Sequence, residues 1–187
     1  MTYLTKGIVL RRDDWGDYDR LLVIYTNSHG KISAIAKGAK KPISKLSSHL
    51  EQLATVDLMI APGAVINRIA GATIEKGNLV ISSNFCKSIA VSFCWEIVDL
   101  LIKNDFHDEE VFDLLENLLA SLSVGESPRQ DLLIVNRFLF NLLSHLGYCP
   151  IVRAKNQREL LSVLHRLVVE VSERSVQSFK ILKESFV

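Results

Sequence analysis

The 187 residues are enough for one or two domains with real cores, and a hydrophobic fraction of 48% excludes a disordered or fibrous chain. No apolar run approaches eighteen residues, which argues against a membrane-spanning segment, and the first residues lack the order of a signal peptide. The net charge of +1 divides into balances of +4 over residues 1–78, −7 over residues 79–127 and +4 over residues 128–187, so a polyanion would be attracted to the outer blocks only.

Five short strands are predicted in the first block. Alternating or continuous apolar residues mark them at 4–12, 21–25, 32–36, 56–60 and 64–74. Asn27–Gly30 and Pro62-Gly63 carry the turn residues that connect neighbouring strands. A short helix is predicted at Ser47–Leu53, where Ser48 and Glu51 have the spacing of a capping box. Five strands with a helix between the third and the fourth follow the order of an OB-fold barrel.

A basic loop follows the third strand. It reads Gly38-Ala39-Lys40-Lys41-Pro42-Ile43-Ser44-Lys45 and, together with Lys37, holds four cations and no acid. Small residues between cations let phosphates approach backbone N–H donors, so the loop predicts nucleic-acid binding, although a solvated surface loop can have the same composition. The candidate phosphate contacts of the first block are Arg11, Arg12, Arg20, Lys31, Lys37, Lys40, Lys41, Lys45 and Arg68.

Two aromatic residues lie in the acidic loop between the first and second strands. Residues 13–19 contain four aspartates around Trp15 and Tyr18. The two rings could stack on bases, or they could cap the open end of the barrel. Because the aspartates would repel phosphate, the sequence favours the cap.

From residue 79 onward the apolar period becomes helical. Helices are predicted over about 83–103, from Asp108 through Leu122, from Ser127-Pro128 to Gly147, and over roughly 156–171 and 173–185. Asp108 and Ser127 are the expected N-caps, and Gly147 is the expected residue after the C-cap. The predicted fold class is therefore α+β, with a nucleic-acid-binding barrel domain over residues 1–78 and an all-helical domain over residues 79–187.

The residues predict no catalytic, metal or cofactor site. The five histidines show no HxH or HExxH spacing, and the sequence contains no phosphate-binding glycine loop and no GxSxG motif. Cys86, Cys94 and Cys149 lack metal-ligand spacing and lie in apolar contexts. They are expected to be reduced thiols of a cytoplasmic protein that binds no zinc. We therefore expect no enzyme and no cofactor.

Three blocks of the sequence, taken in order, resemble the RecO family of bacterial recombination mediators. They are Gly7-Ile-Val-Leu-Arg-Arg, Trp15-Gly-Asp-Tyr-Asp-Arg-Leu-Leu and His29-Gly-Lys-Ile-Ser-Ala-Ile-Ala-Lys-Gly-Ala-Lys-Lys-Pro. Leu146-Gly147-Tyr148 and, more weakly, Arg174-Ser-Val-Gln-Ser178 continue the resemblance. It implies an OB-fold followed by a helical domain, and a bacterial cytoplasmic, nucleoid-associated protein without catalytic turnover. It also implies binding to single- and double-stranded DNA, strand annealing, and loading of recombinase onto strands coated by single-strand-binding protein, with RecR as a partner.

The sequence departs from the family pattern after Leu-Gly-Tyr. Many relatives carry four zinc-binding cysteines there, whereas Cys149-Pro150 here leads directly towards a helix, so no zinc module is expected. Two functions stay open, a DNA-binding mediator and an adaptor whose barrel and helices bind only proteins. The resemblance further implies docking of the acidic C-terminal tail of single-strand-binding protein. Arg129 and Arg137 on the third helix are the candidate contacts, because the middle block would repel the tail.

Overall fold

A computed structural model describes residues 1–42, 44, 49–50 and 53–186. The chain divides into two compact units. The first comprises Met1–Asn78 together with Ile102–Phe112, and the second comprises Leu79–Leu101 and the chain from Asp113 onward. The candidate contact Lys45 lies outside the described residues. Most of the helix predicted at Ser47–Leu53 lies outside them as well.

The first unit is built on a closed five-stranded barrel with the neighbour order β1-β2-β3-β5-β4. Its strands are β1 (Tyr3–Trp15), β2 (Asp19–Thr26), β3 (Gly30–Ala36), β4 (Ala54–Ala61) and β5 (Asn67–Gly77). All neighbouring strands pair antiparallel except β3 and β5, which pair in parallel. This topology confirms the predicted OB-fold.

Strand β2 is buried on both faces, which explains its continuous apolar sequence. Leu22 and Ile24 belong to the barrel core. Tyr25, one residue further on, is also fully buried, and its hydroxyl donates a 3.0 Å hydrogen bond to the Asp108 carbonyl oxygen. Burial, with a smaller contribution from the Asp108 charge, raises the pKa of Tyr25 to about 12. The outer face of β2 is therefore covered by the segment Ile102–Phe112.

That segment binds backbone carbonyl oxygens of the β2–β3 hairpin. The Asp105 amide donates to the Lys31 carbonyl oxygen at 2.9 Å, and His107 Nε2 lies 2.8 Å from the Asn27 carbonyl oxygen. Gly30 sits at the closest approach, with φ +65°, and a Cβ added there would lie 2.0 Å from the Phe106 carbonyl oxygen. Glycine is thus required at this turn for its backbone conformation and for space.

The helices of the described chain are α1 (Leu79–Ser82), α2 (Phe85–Leu101), α3 (Glu109–Val124), α4 (Pro128–His145), α5 (Gln157–Ser172) and α6 (Phe179–Ser185). The predicted caps are confirmed. The Asp108 carboxylate accepts from the Glu110 amide at 3.0 Å, and the Ser127 hydroxyl accepts from the Gln130 amide at 3.4 Å. Gly147 follows the C-cap of α4 with φ +86°. No helix in the described ranges is long and apolar enough to cross a membrane.

A buried lysine joins three helical segments of the second unit. Lys87 Nζ, on α2, donates to the Leu122 and Gly125 carbonyl oxygens at 2.5 and 2.6 Å, where α3 ends. It also lies 3.5 Å from Asp131 Oδ1 in the first turn of α4, and both side chains are buried. Burial raises the pKa of Asp131, and attraction to Lys87 opposes part of that rise. Because an unpaired charge there would be costly, the pair fixes how these helix ends meet.

We expect Gly30→Ala to reduce the free energy of unfolding by more than about 3 kcal/mol. The left-handed conformation costs an alanine about 1–2 kcal/mol, and the clash with the Phe106 carbonyl adds to that. Gly16→Ala is the matched control, because Gly16 has φ +64° with nothing within 4 Å of its added Cβ. Urea denaturation of the full chain measures both variants, and equal losses would contradict the close approach.

Candidate nucleic-acid interface

An open cleft of about 700 Å³ lies on the barrel, between the β1–β2 loop and the β4–β5 loop. Its described lining residues are Trp15, Asp19, Ile35, Lys37, Ala61, Pro62, Gly63, Ala64, Val65, Ile66 and Arg68. These loops, with the face of the second and third strands, are where OB-folds bind oligonucleotides. The volume falls within the range of about 300–1,000 Å³ that is usual for ligand sites.

Two cations meet at this cleft because of the parallel pairing between β3 and β5. That pairing places Ala34 opposite Asn67 and Ile35 opposite Arg68. Arg68 therefore lies opposite Ile35, which is two residues before Lys37 in the chain. Both cations are exposed. They are 31 positions apart in the chain, so sequence reasoning identified each of them without showing that they share one cleft.

Two backbone amides of the basic loop after β3 donate hydrogen bonds to the acidic β1–β2 loop. Asp19 Oδ1 accepts from the Gly38 amide at 2.7 Å, and the Tyr18 carbonyl oxygen accepts from the Lys40 amide at 2.9 Å. Gly38 adopts φ +67°, which favours glycine at this junction. The two loops therefore form one connected edge of the cleft.

Side chains add to this connection. Lys40 Nζ donates to Asp14 Oδ2 at 2.8 Å, and this hydrogen bond is the main reason that the pKa of Asp14 is lowered. Lys41 Nζ lies 5.3 Å from the centre of the Tyr18 ring, within cation–π distance. The aspartates thus partly neutralise the basic loop, an effect that a count of its lysines does not show.

The other predicted phosphate contacts differ in their solvent exposure. Arg11 is exposed and its Nε donates to Asp13 Oδ2 at 2.9 Å, while Arg12 and Arg20 are half-buried on β1 and β2. Lys31 departs from the prediction, because it is only 5% exposed on β3 and offers little surface to a phosphate. Its alternation with apolar neighbours suggested an outward-facing cation, but the Asp105 amide of the segment Ile102–Phe112 binds the carbonyl oxygen of this residue.

The aromatic residues of the β1–β2 loop remain accessible. Trp15 is 49% exposed and lines the cleft, and Tyr18 is 59% exposed outside its described lining. Rings that are exposed to this extent have surface available to a ligand. The exposure therefore favours stacking over the capping role that the sequence suggested.

A second groove lies in the helical unit, between α3 and α4. It has a volume of about 320 Å³, and its described lining is Leu114, Asn117, Leu118, Ser121, Ile134, Arg137, Phe138 and Asn141. Arg137 is the cation in that lining, and it is exposed. Arg129 is exposed on the same helix, but it is not part of the described lining. The groove thus combines an apolar floor with one guanidinium.

Among the described residues, no group of three or more His, Cys, Asp or Glu side chains could hold a metal ion. Cys94 is fully buried, and burial strongly raises the pKa of its thiol. Cys86 is half-buried and Cys149 is exposed. The expected absence of zinc stays a prediction.

The barrel with its cleft and the following helices define an OB-fold protein with a helical second part. The family described as "Recombination protein O N terminal" matches residues 1–77, and "Recombination protein O C terminal" matches residues 82–159. The chain therefore belongs to the RecO family. This confirms the resemblance seen in the three sequence blocks.

Curated relatives carry the name DNA repair protein RecO. The protein from Cyanothece sp. is 32% identical over 153 residues, which cover 81% of this chain and 52% of that protein. The one from Dehalococcoides mccartyi is 31% identical over 151 residues, covering 81% and 58%, and the one from Heliobacterium modesticaldum is 32% identical over 148 residues, covering 79% and 52%. The chain thus spans little more than half the length of these relatives.

We expect Asp19→Ala to speed hydrogen exchange at the Gly38 amide by about tenfold or more. A hydrogen bond to a charged acceptor contributes about 1.5–3 kcal/mol, and this substitution removes the acceptor. Asp19→Asn is the matched control, because its side-chain oxygen can still accept the bond. The Ile24 amide in β2 serves as the internal reference. Unchanged exchange at Gly38 in Asp19→Ala would contradict the role of this carboxylate.

Proposed function

We propose that this chain is a non-catalytic DNA-binding protein of DNA repair and recombination. In this proposal residues 1–78 carry the nucleic-acid-binding domain and residues 79–187 carry the helical domain. The observation that carries it is the cleft on the barrel, where Lys37, Arg68 and an exposed Trp15 meet between the two loops that OB-folds use. Cations that neutralise phosphates give affinity for any sequence, and an aromatic ring adds base stacking.

The finer activities rest on membership of the RecO family. They are binding to single- and double-stranded DNA, strand annealing, and help in loading recombinase onto strands coated by single-strand-binding protein, with RecR as a partner. Annealing requires a protein that holds strands through their backbones and leaves base edges free to pair. Exposed cations at the cleft support that requirement, because cations bind phosphates without reading base edges. A cytoplasmic location at the nucleoid follows from this function.

The Lys37→Ala/Arg68→Ala double variant should bind oligo-dT more weakly and with a flatter salt dependence. Each lost phosphate contact to a single strand reduces the slope of log K against log salt by about 0.7, so we expect a change of about 1.4. Fluorescence anisotropy with labelled oligo-dT at four or five salt concentrations measures the slope.

A matched variant removes the same charge elsewhere on the first unit. Lys76 is exposed near the end of β5, about 26 Å along the strand from Arg68, and Lys103 is exposed in the segment Ile102–Phe112. Lys76→Ala/Lys103→Ala should keep the wild-type slope. If the cleft variant and the wild type show the same slope of log K against log salt, the cleft is not the DNA-binding site. A wild-type slope near zero would favour the protein-binding adaptor.

The helical groove is the proposed docking site for the C-terminal tail of single-strand-binding protein. An acidic tail that ends in an aromatic residue and a carboxylate needs an apolar groove beside a cation. Leu114, Ile134 and Phe138 supply apolar lining, and Arg137 supplies the guanidinium. Arg129 lies outside that described lining, so any help it gives would be through longer-range attraction.

Arg137→Ala should weaken binding of a fluorescent tail peptide by about tenfold or more. The expected loss follows from one hydrogen bond to a charged group, which contributes about 1.5–3 kcal/mol. Arg129→Ala is the matched control, with the same charge change on the same helix, and we expect a change of less than threefold. Tail affinity that survives Arg137→Ala in a variant that still melts cooperatively would refute this site.

A further inference from the structure

The helix α6 in the second unit has little stability of its own. It has seven residues, and isolated helices shorter than about 12–15 residues are marginal in water. The side chain of its N-cap residue, Ser178, caps no amide of the helix. Leu182 within α6 and Phe186 directly after it are buried. The helix therefore depends on the surface against which it packs.

Two other helices of the same unit hold the ends of α6. Glu96 of α2 accepts hydrogen bonds from the Gln177 amide at 2.6 Å, and from the amide of Ser178 at 2.9 Å and its hydroxyl. The Arg158 guanidinium of α5 donates to the Phe186 carbonyl oxygen at 2.7 Å. The carboxylate and the guanidinium thus supply hydrogen-bond partners that a short helix cannot provide for its own ends.

Between these two attachments lies a ring stack that contains a titratable group. The imidazole of His165, on α5, lies parallel to the Phe179 ring, with 3.5 Å between the ring centres and 4° between the planes. Phe93 of α2 packs on the same phenylalanine, 6.0 Å from its ring centre. His165 Nε2 is buried and has no hydrogen-bond partner among the described residues. A proton on this ring would therefore place a positive charge in poorly hydrated surroundings.

The docked ring binds a proton less readily than a free one. Burial lowers the pKa of His165, and attraction to the Glu96 carboxylate opposes part of that shift. A free histidine has a pKa of about 6.5. Docking of α6 is therefore fully supported above about pH 6.5 and weakens as the pH falls below it, because the undocked state binds more protons.

Other charged groups on the neighbouring helices do not alter this balance. Asp99 of α2 and His145 of α4 are half-buried, and neither shifts the pKa of His165. The cations of α4, α5 and α6 are exposed to water and salt, which screen their charges. They are Arg129, Arg137, Arg158, Arg166, Lys180 and Lys183.

We propose that α6 is a pH-sensitive latch, which leaves α2 and α5 when the His165 ring takes up a proton. In the closed state the neutral ring stacks on Phe179, and in the open state the charged ring is hydrated. Opening leaves the rest of the unit folded, because the buried pair Lys87–Asp131 and the helices that it joins do not involve α6. The latch belongs to the second unit alone and does not depend on DNA binding.

Hydrogen exchange at the Leu182 amide measures the opening, because this amide donates to the Ser178 carbonyl oxygen at 3.0 Å. Each rate is divided by that of an unstructured chain at the same pH, which removes the effect of pH on exchange itself. In the full chain, protection of Leu182 should fall about three- to tenfold from pH 7.5 to pH 5.5, tenfold being the limit for one group with a free pKa of about 6.5. The Leu146 amide, bonded to the Leu142 carbonyl oxygen in α4, is the reference and should keep its protection.

Variants assign the pH dependence to one ring. His165→Phe keeps a ring that can stack on Phe179 but cannot bind a proton, so Leu182 should be equally protected at both pH values. His165→Leu also has no proton site, and it should give the same flat profile even where its protection is lower. His29→Phe is the matched control, because it replaces an imidazole that stacks on Tyr3 in the first unit, and it should keep the wild-type fall.

Three results would overturn the latch. The first is equal protection of Leu182 at both pH values in the wild type. The second is a fall that both His165 variants retain, because another group would then carry the pH dependence. The third is an equal fall at Leu146 and Leu182, which would mean that the whole unit loses stability at low pH and that α6 does not open separately.

Discussion

Closure of the barrel by two residue pairs between β3 and β5 is the constraint on which the site depends. Ala34 with Asn67 and Ile35 with Arg68 form the parallel contact of an otherwise antiparallel barrel. The contact joins the two strands that would otherwise form the edges of an open sheet. It also brings Lys37 and Arg68 to one cleft, and it sets the β4–β5 loop opposite the β1–β2 loop.

The two faces of the β2–β3 hairpin pack against different parts of the first unit. Its inner face supplies core residues such as Ile24 and Ile32. Its outer face receives the segment Ile102–Phe112, a stretch of chain that returns from beyond α2. The return requires Gly30, because only a residue without a Cβ permits the approach of the Phe106 carbonyl. One short hairpin therefore contacts a part of the sequence about eighty residues away.

Local features of the sequence predicted the strands, the caps at Asp108 and Ser127, and the OB-fold order, since these depend on neighbouring residues. Features that depend on tertiary contacts could not be predicted from the sequence. The alternating strand suggested that Lys31 points outward, yet Lys31 is buried where the Asp105 amide of the returning segment binds its carbonyl oxygen. Lys40 reads as a free cation, yet it pairs with Asp14. Lys87 gave no signal at all, because a single lysine in an apolar helix does not reveal its buried partner Asp131.

The arrangement of the candidate site also depends on tertiary contacts that the sequence does not show. Its cations were found from composition, but their grouping at one cleft needed the β3–β5 register. The acids near Trp15 suggested repulsion of nucleic acid and hence a capping role for the ring. In the structure Asp14 pairs with Lys40 and Asp19 holds the Gly38 amide, so these carboxylates organise the loops beside an accessible Trp15.

Amide hydrogen exchange with and without oligo-dT tests most directly whether nucleic acid binds this cleft. We predict slower exchange in three segments, residues 15–19, 37–41 and 61–68, with little change over the helices of the second unit. Protection confined to the helices, or no protection at a DNA concentration that saturates binding, would contradict binding at the cleft.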